Sequence, residues 1–279
     1  MKRLILPLAL LFTGCVSNNT NIDKNLQKTS KDMKLLSKYH TTKKNLHKLN
    51  NDYVFLALAD NGSVGFYIIN NDYDLKFSKT LNLNINPVKV KVKNNKVYVL
   101  AYDVVANKPI FVVLDNRGNV INKYFVGKKF NTPVDFLIDG NDVIITLNSY
   151  SKNNGEDIII YKNNLSHTIS TKYAEEAKII LPYDKGYILV GNISQNTQNV
   201  FIAFMDKNFN ILWSRDIDFG LEESVKNIKI QNGVIILDII SQNYTGAEEY
   251  YSIKIDKNGK ILNHNKKFEI KNYPLKFQG

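Results

Sequence analysis

Cysteine and histidine are scarce in this chain of 279 residues, which contains one cysteine and four histidines. The histidines, His40, His47, His167 and His264, form neither a His-Glu-x-x-His motif nor a Cys/His ligand spacing, so a zinc or redox site is excluded. The sequence also lacks a Gly-x-Ser-x-Gly nucleophile elbow and a phosphate-binding glycine loop. From these absences we expect a protein that is not an enzyme and that holds no metal and no cofactor.

One stretch, Asp206-Lys-Asn-Phe-Asn210, imitates the start of a calcium-binding loop. The twelfth position of such a loop needs a glutamate that binds the ion through both oxygens, and Ile217 stands there instead. An Asp-Lys-Asn sequence recurs at Asp256, where another predicted strand ends. We therefore interpret both stretches as turns.

Long apolar runs are missing as well, and the apolar stretch near the N terminus covers only residues 4–12. It follows Met1-Lys-Arg3 and is too short to span a bilayer, which is typical of a secretory signal. The next residues, Thr13-Gly14-Cys15, resemble the lipobox of bacterial lipoproteins. The resemblance implies that residues 1–14 are a signal peptide, cut before Cys15, and that the Cys15 thiol is lipidated. The alternative is a free cysteine inside an ordinary signal peptide.

Several acyl chains on Cys15 would anchor the protein stably to a membrane. No acidic residue follows the cysteine directly, which by resemblance to lipoproteins of two-membrane bacteria favours the outer membrane, with the protein facing the periplasm. Residues 15–44 are rich in Asn, Lys, Thr and Ser, and we predict that they form a flexible tether.

The chain is basic, with a formal net charge of +11. Its positive residues are spread along the chain, without a run of arginines or an aromatic stacking platform, so we expect no nucleic-acid partner. We interpret the charge as favouring solubility and affinity for anionic envelope polymers or lipid headgroups.

The second half of the chain repeats one pattern, over residues 175–262. The first copy runs from Glu175-Glu176 through a turn at Asp184-Lys-Gly186 to Asn210-Ile-Leu-Trp213, and the second begins about 47 residues later at Glu222-Glu223. Four short apolar strands in each copy, at this period, are typical of a β-propeller blade.

Two kinds of turn extend the repeat towards the N terminus. Turns between first and second strands contain Asn, Asp or Gly and fall at residues 50–51, 94–95, 139–140, 184–186 and 232–233. Turns after third strands fall at residues 115–118, 206–209 and 256–259, with weaker copies at Asn70 and Lys162. Together they predict an all-β domain over residues 45–279, a five-bladed β-propeller with four antiparallel strands in each blade.

The C-terminal tail repeats the way in which first strands begin. Pro87-Val and Pro133-Val open two of these strands, and Pro274-Leu-Lys-Phe277 has the same form. We expect the tail to insert as the innermost strand of the first blade, which otherwise starts at Asp52, because this would close the ring and remove an unpaired edge. A frayed C terminus is the alternative.

The complete blade pattern combines the acidic pair, Asp-x-Gly-Tyr, Gly191, the Asp-x-Asn turn and Ile-Leu-Trp213. It resembles the propeller repeats of bacterial exported proteins, of the type Asp-x-Asn-Gly-x-Ile/Leu-Trp. The resemblance covers residues 175–262 well and residues 52–170 loosely. It implies the fold but no activity, because the functions of such proteins are diverse. We interpret Trp213 as a blade-packing residue rather than a platform for a sugar.

Acidic pairs converge on one face of the predicted propeller. The loops between second and third strands and the loops between successive blades both emerge on this face, and they contain Glu156, Asp157, Glu175, Glu176, Glu222, Glu223, Glu248 and Glu249. Tyr150, Tyr244 and Tyr250 lie nearby as aromatic anchors. We expect this face to dock a basic protein partner or to bind a cation, and the alternative is that loops simply collect charged residues.

The leading hypothesis is a non-catalytic, membrane-anchored lipoprotein that acts as a protein–protein interaction scaffold in the bacterial cell envelope. The alternative is a propeller that binds a carbohydrate or peptidoglycan, since five-bladed propellers include lectins and glycosidases. A glycosidase needs two carboxylates that face each other across a cleft, and the sequence identifies no such pair on its strands. Glycan binding is therefore preferred to glycan cleavage.

Overall fold

The computed structural model describes residues 41–58, 62–152, 155–163, 165–220, 222–243, 245–263, 269–272 and 277–278. The predicted signal peptide, Cys15 and most of the predicted tether lie outside the described residues. Within the described residues, no helix is long and apolar enough to cross a membrane.

The described strands form five antiparallel sheets. The first sheet contains β1 (His47–Leu49), β2 (Asp52–Leu58), β3 (Val64–Ile69) and β4 (Leu75–Leu81). The second contains β5 (Ile85–Lys93), β6 (Lys96–Asp103), β7 (Lys108–Leu114) and β8 (Val120–Phe125). The third contains β9 (Thr132–Asp139), β10 (Asp142–Ser151), β11 (Gly155–Lys162) and β12 (Leu165–Ile169). The fourth contains β13 (Ala174–Tyr183), β14 (Gly186–Ser194), β15 (Gln198–Asp206) and β16 (Ile211–Asp218). The fifth contains β17 (Glu222–Gln231), β18 (Val234–Gln242), β19 (Glu248–Ile255) and β20 (Ile261–Asn263).

In every sheet four consecutive strands pair in chain order. This is the topology of a propeller blade, so the prediction of an all-β domain made of five four-stranded units is confirmed for the described residues. The molecule is consistent with a five-bladed propeller.

Two-residue turns join the first and second strands of each sheet at the predicted positions. Asn50, Asn94, Asp184 and Asn232 have φ values of 49 to 55°, and Gly140 has a φ of 61°. Asn and Asp enter this left-handed region more readily than other side-chain-bearing residues, which explains their recurrence in the sequence.

In the first, second, fourth and fifth sheets, the turn after the third strand is stabilised by the side chain of its first residue. Asp206 Oδ1 accepts hydrogen bonds from the amides of Asn208 and Asn210, at 2.8 and 2.9 Å. Asn70, Asp115 and Asp256 make the same pair of bonds in the first, second and fifth sheets. The interpretation of the calcium-like stretch as a turn is thus confirmed.

The first strands of the second to fifth sheets each contain a β-bulge. The unpaired residues are Val88, Val134, Lys178 and Lys226. The bulges therefore recur with about the same period as the sequence repeat. A bulge bends its strand and increases the local twist, so the innermost strands share one curvature.

A hydrophobic cluster fills each of the four interfaces between sheets that follow one another in the chain. Between the fourth and fifth sheets, for example, Ile188 and Val190 of β14 pack with Leu237 and Ile239 of β18, and all four side chains are buried. Burying each such side chain stabilises the fold by about 1.5 to 3 kcal/mol. The sheets therefore stack face to face, as blades do.

The last residue of the turn after the third strand also contacts the preceding sheet. A Cβ atom on Gly259 would lie 2.7 Å from Trp213 of β16, and one on Gly118 would lie 2.9 Å from Phe66 of β3. The Trp213 indole also donates a hydrogen bond of 2.9 Å to the carbonyl oxygen of Lys257. The interpretation of Trp213 as a blade-packing residue is confirmed.

The predicted insertion of the C-terminal tail into the first blade is wrong. Two tail strands, β21 (Glu269–Asn272) and β22 (Phe277–Gln278), pair instead with the outer strands β16 and β12 of the fourth and third sheets. The innermost strand of the first sheet is β1, joined to β2 by the turn at residues 50–51. This local hairpin closes at a smaller entropic cost than pairing with the far end of the chain. Pro274, Leu275 and Lys276 lie outside the described residues.

Candidate functional site

The hairpin between the second and third strands of one sheet lies beside the first strand of the next sheet. Asn148 of β10 binds both backbone groups of Ala177 in β13, accepting from its amide at 2.9 Å and donating to its oxygen at 3.4 Å. In the same way Asn192 of β14 donates to the Glu223 oxygen in β17 at 2.6 Å. These bonds place the two predicted sets of loops at one end of the third to fifth sheets.

The predicted acidic residues of the fifth sheet lie in two neighbouring rows. Glu222 pairs with Gln242, which pairs with Glu248, and Glu223 pairs with Ser241, which pairs with Glu249. Glu222, Glu248 and Glu249 are exposed. Tyr250 lies in the next row, opposite Ile240, and its side chain is 67 % exposed. The Tyr250 hydroxyl donates to Glu248 at 2.9 Å, and this bond raises the pKa of Tyr250.

Between the third and fourth sheets, Glu156 lies near Glu176. Burial, with the charge of Glu176 as a second cause, raises the pKa of the Glu156 carboxyl. Lys178 offsets part of this repulsion, since its Nζ lies 2.6 Å from Glu176. Tyr150 pairs with Glu156 in the ladder and is 76 % exposed.

Two of the predicted partner-binding residues are not at the surface. Glu175 and Glu223 are completely buried, where Glu175 accepts hydrogen bonds from Thr171 and Glu223 accepts one from the Ser241 hydroxyl at 3.2 Å. Side chains alternate between the two faces along a strand, so in each of these acidic pairs the other residue, Glu176 or Glu222, faces outward. Tyr244 and Cys15 lie outside the described residues.

We use the name acidic rim for the surface formed by the other predicted partner-binding residues. It consists of Glu156, Asp157, Glu176, Glu222, Glu248 and Glu249, with Tyr150 and Tyr250.

Charge is divided between two halves of the fold. The strands of the first two sheets contain nine lysines and two aspartates. The four-stranded cores of the other three sheets contain fifteen acidic and six basic residues. The acidic rim thus belongs to an electronegative half of a basic protein.

Sequence reasoning missed a charged cluster on the innermost strands. Lys91 Nζ of β5 lies 2.9 Å from Asp135 Oδ1 of β9, and Lys89 Nζ lies 3.9 Å from the same atom. Asp135 is buried and also accepts from the amides of Phe136 and Ile180, at 2.8 and 3.2 Å. The cluster therefore ties together the first strands of three successive sheets.

Burial is the main cause of two shifts in this region. It lowers the pKa of Lys91, with Asp135 opposing the shift, and it lowers the pKa of His47, with Lys89 and Lys91 adding to the effect. The alternation Val88-Lys-Val-Lys-Val92 was the signal that could have found the cluster, since it places both lysines on one face of a strand.

A groove of about 410 Å³ lies between the outer parts of the second and third sheets. Its described lining residues combine four aromatic rings with three exposed amides, and none of them is charged: Phe111, Val113, Asn122, Tyr124, Phe125, Val126, Gly127, Asn141, Val143, Ile145, Tyr161 and Asn163. Burial raises the pKa values of both Tyr124 and Tyr161. Sequence reasoning also missed this groove, because its residues come from two sheets.

The described part of the chain contains no group of three or more His, Cys, Asp or Glu residues arranged to hold a metal ion.

No family model matches the sequence. An uncharacterized protein of Aquifex aeolicus is 46 % identical over 44 residues, which is 16 % of this chain and 12 % of that protein. The matched length is close to that of one sequence repeat.

Solved structures give a broader but weaker match. A dihydro-heme d1 dehydrogenase, solved in complex with DHE, has a TM-score of 0.51 at 10 % identity, over 82 % of this chain and 46 % of that one. The β-propeller domain of the Trilobed protease from Pyrococcus furiosus has a TM-score of 0.47 at 12 % identity, over 82 % and 80 %. An acylaminoacyl peptidase from Pyrococcus horikoshii has a TM-score of 0.44 at 13 % identity, over 76 % and 36 %. At such identities the likeness concerns the fold alone.

Proposed function

We propose that this chain is a non-catalytic lipoprotein, anchored through Cys15, whose five-bladed propeller docks a basic protein of the cell envelope on its acidic rim. The observation that supports this function best is Tyr250, whose side chain is 67 % exposed and donates a hydrogen bond of 2.9 Å to the exposed Glu248. An exposed tyrosine supplies contact area at a small entropic cost and is enriched in protein interfaces.

The surrounding carboxylates supply the charge that selects the partner. Exposed carboxylates of one sign attract an oppositely charged surface over roughly 8 to 10 Å at physiological salt, and they act mainly on the association rate and on specificity. The rim is in the electronegative half of the fold, so it would orient the propeller on a basic partner. The basic half would then face away from that partner, towards anionic polymers or lipid headgroups.

Neutralising the rim tests this function. We expect the triple variant Glu222→Gln, Glu248→Gln and Glu249→Gln to lose the protein that the native chain retains from detergent-solubilised envelopes. The matched control neutralises three exposed acids at the opposite end of the sheets, Asp72→Asn, Asp74→Asn and Asp184→Asn. Equal retention by the native chain and the rim variant would refute the rim as the docking surface.

The anchor is tested separately. We expect Cys15→Ser to release the protein from membranes into the soluble fraction and to abolish incorporation of labelled palmitate. Continued labelling of the variant would contradict lipidation at this residue.

A second candidate function, glycan binding, is supported by the aromatic groove. Sugar rings stack on aromatic faces, and their hydroxyl groups hydrogen-bond to amides such as those of Asn122, Asn141 and Asn163. The described lining residues include no carboxylate, so the groove fits the binding of a neutral sugar rather than its hydrolysis.

A peptidoglycan pull-down and a glycan array separate the two functions. If the groove binds sugars, Tyr124→Ala should abolish retention, whereas Tyr150→Ala, an exposed aromatic on the acidic rim, should not. Retention that survives Tyr124→Ala would remove the groove as the site.

A further inference from the structure

We propose that a cavity between the first and second sheets, flanked by Lys44, His47 and Lys89, binds a small organic anion. The ligand would have a carboxylate or phosphate monoester head and a short apolar body. This site is independent of the acidic rim and of the aromatic groove.

The cavity has a volume of about 370 Å³ and lies against the innermost strands β1 and β5. Its lining residues are Lys44, Asn45, His47, Leu56, Pro87, Val88, Lys89 and Val90. Volumes of roughly 300 to 1,000 Å³ are typical of small-molecule sites, which combine an apolar wall with a few polar groups. The cavity has both parts.

The polar part is entirely made of groups suited to an anion. Lys44 and Lys89 provide two ammonium groups, and Asn45 and His47 provide an amide and an imidazole. None of the described residues that line the cavity is acidic. An anion placed there would therefore accept charge-assisted hydrogen bonds without facing a carboxylate in the wall.

Among the described residues, the acids near Lys89 are held mainly by other groups. Asp135 lies 3.9 Å from Lys89, but it is held by the closer Lys91, at 2.9 Å, and by two backbone amides. Asp52 and Asp103 are the acidic residues in the strands of the first two sheets. Asp52 is paired with Lys76 at 2.9 Å, and Asp103 caps the amides of Val105 and Ala106.

Lys89 is thus the β5 lysine whose ammonium group is held least closely, since its distance to Asp135 is 3.9 Å and that of Lys91 is 2.9 Å. Lys91 Nζ also donates to the Phe136 oxygen, and Lys93 Nζ donates to the Ile138 oxygen at 3.2 Å. Both therefore bridge to the third sheet, whereas Lys89 retains a side chain that is 42 % exposed, and it borders the cavity.

The apolar part of the lining limits the ligand class. Leu56 of β2 and the segment Pro87-Val88, with Val90, form a hydrocarbon wall next to the charged groups. A bare inorganic ion would leave this wall in contact with water, while an anion with a short alkyl or aryl body would cover it and gain from the burial of apolar surface.

Isothermal titration of the full mature chain tests this site with three probes: hexanoate, hexyl phosphate and hexylamine. We expect at least one of the two anions to bind and the amine, which has the same body and the opposite charge, not to bind. Tighter binding of hexanoate or of hexyl phosphate would identify the head group. No heat with either anion, or equal binding of the amine, would overturn the proposal.

Variants locate the binding. Lys89→Gln and Lys44→Gln should each weaken the anion about tenfold, which is the loss of one charge-assisted contact. Lys229→Gln, at an exposed position on β17, is the matched control and should leave the affinity unchanged. Lys44 precedes the first strand, so its substitution tests the site even if the strand residue Lys89 is needed for folding. Equal weakening by the control would show general attraction to a basic surface instead of a site.

Discussion

Replacing Gly259 by alanine should destabilise the fold much more than replacing Gly233. Both glycines have left-handed backbones, with φ values of 75 and 73°, so both substitutions carry the same conformational cost of about 1 to 2 kcal/mol. They differ in space, because the added Cβ would lie 2.7 Å from Trp213 at position 259 and would have no heavy atom within 4 Å at position 233. The difference between the two variants therefore isolates the contact between the fourth and fifth sheets.

Overpacking a buried contact costs about 1 to 3 kcal/mol, so Gly259→Ala should lose roughly 2 to 5 kcal/mol in total. For a domain of this size 1 kcal/mol corresponds to about 2 to 4 °C in Tm. Gly118→Ala, which meets Phe66 at 2.9 Å between the first and second sheets, should behave like Gly259→Ala.

The assay is equilibrium unfolding in urea, followed by circular dichroism and by the fluorescence of Trp213, the single tryptophan of the chain. In a double-mutant cycle, Trp213→Ala should remove the extra cost of Gly259→Ala, because it removes the atoms that clash. Equal midpoints for Gly259→Ala and Gly233→Ala would refute the inter-sheet packing described here.

Three further predictions concern the inner strands and the tail. Asn148→Ala should cost about 1 to 3 kcal/mol in urea unfolding, because it leaves both buried backbone groups of Ala177 unpaired, whereas Asn86→Ala at an exposed strand position should change little. The pKa of His47 is lowered in the folded chain, so the unfolded chain binds more protons as the pH falls below about 6.5 and stability decreases there. His47→Gln should therefore reduce the fall in Tm between about pH 7 and pH 5.5. An unchanged dependence of Tm on pH in this variant would contradict the lowered pKa of His47. Deleting residues 269–279 should lower the Tm less than deleting residues 41–49. The reason is that β21 and β22 pair with outer strands, whereas β1 contributes the buried Leu49 to the core. A larger fall in Tm for the deletion of residues 269–279 would contradict this.

The turns were the part of the fold that the sequence predicted best. A left-handed backbone restricts the choice of residue, so Asn50, Asn94, Asp184 and Asn232 reveal the hairpins without knowledge of the rest. The side chains of Asp115, Asp206 and Asp256 fix their turns by bonds to residues two and four positions later, so this information is also local. Repetition of these local signals was sufficient to count the blades.

The tail was mispredicted because proline followed by alternating apolar residues reports strand propensity and not the identity of the partner strand. The innermost place in the first sheet was already taken by β1, whose three residues give a short and inconspicuous signal.

The sequence predicted at which end of the sheets the acidic residues lie, but it did not predict which of them are exposed. The acidic pairs identify the loop end of the sheets, but adjacent residues on a strand point to opposite sides, so one member of each pair at Glu175-Glu176 and Glu222-Glu223 is buried. Clusters such as Lys91 with Asp135 join residues 44 positions apart in different sheets, and the spacing alone does not identify which strands face each other.

Site-specific photo-crosslinking in native envelopes tests the docking function most directly. A photoreactive residue at position 250 lies in the acidic rim, and one at position 72 lies at the opposite end of the sheets. The proposed function predicts one dominant protein adduct from position 250, its loss when Glu222, Glu248 and Glu249 are neutralised, and no such adduct from position 72. Identical adducts from both positions, or glycan fragments without a protein adduct from position 250, would contradict a scaffold that docks its partner on the acidic rim.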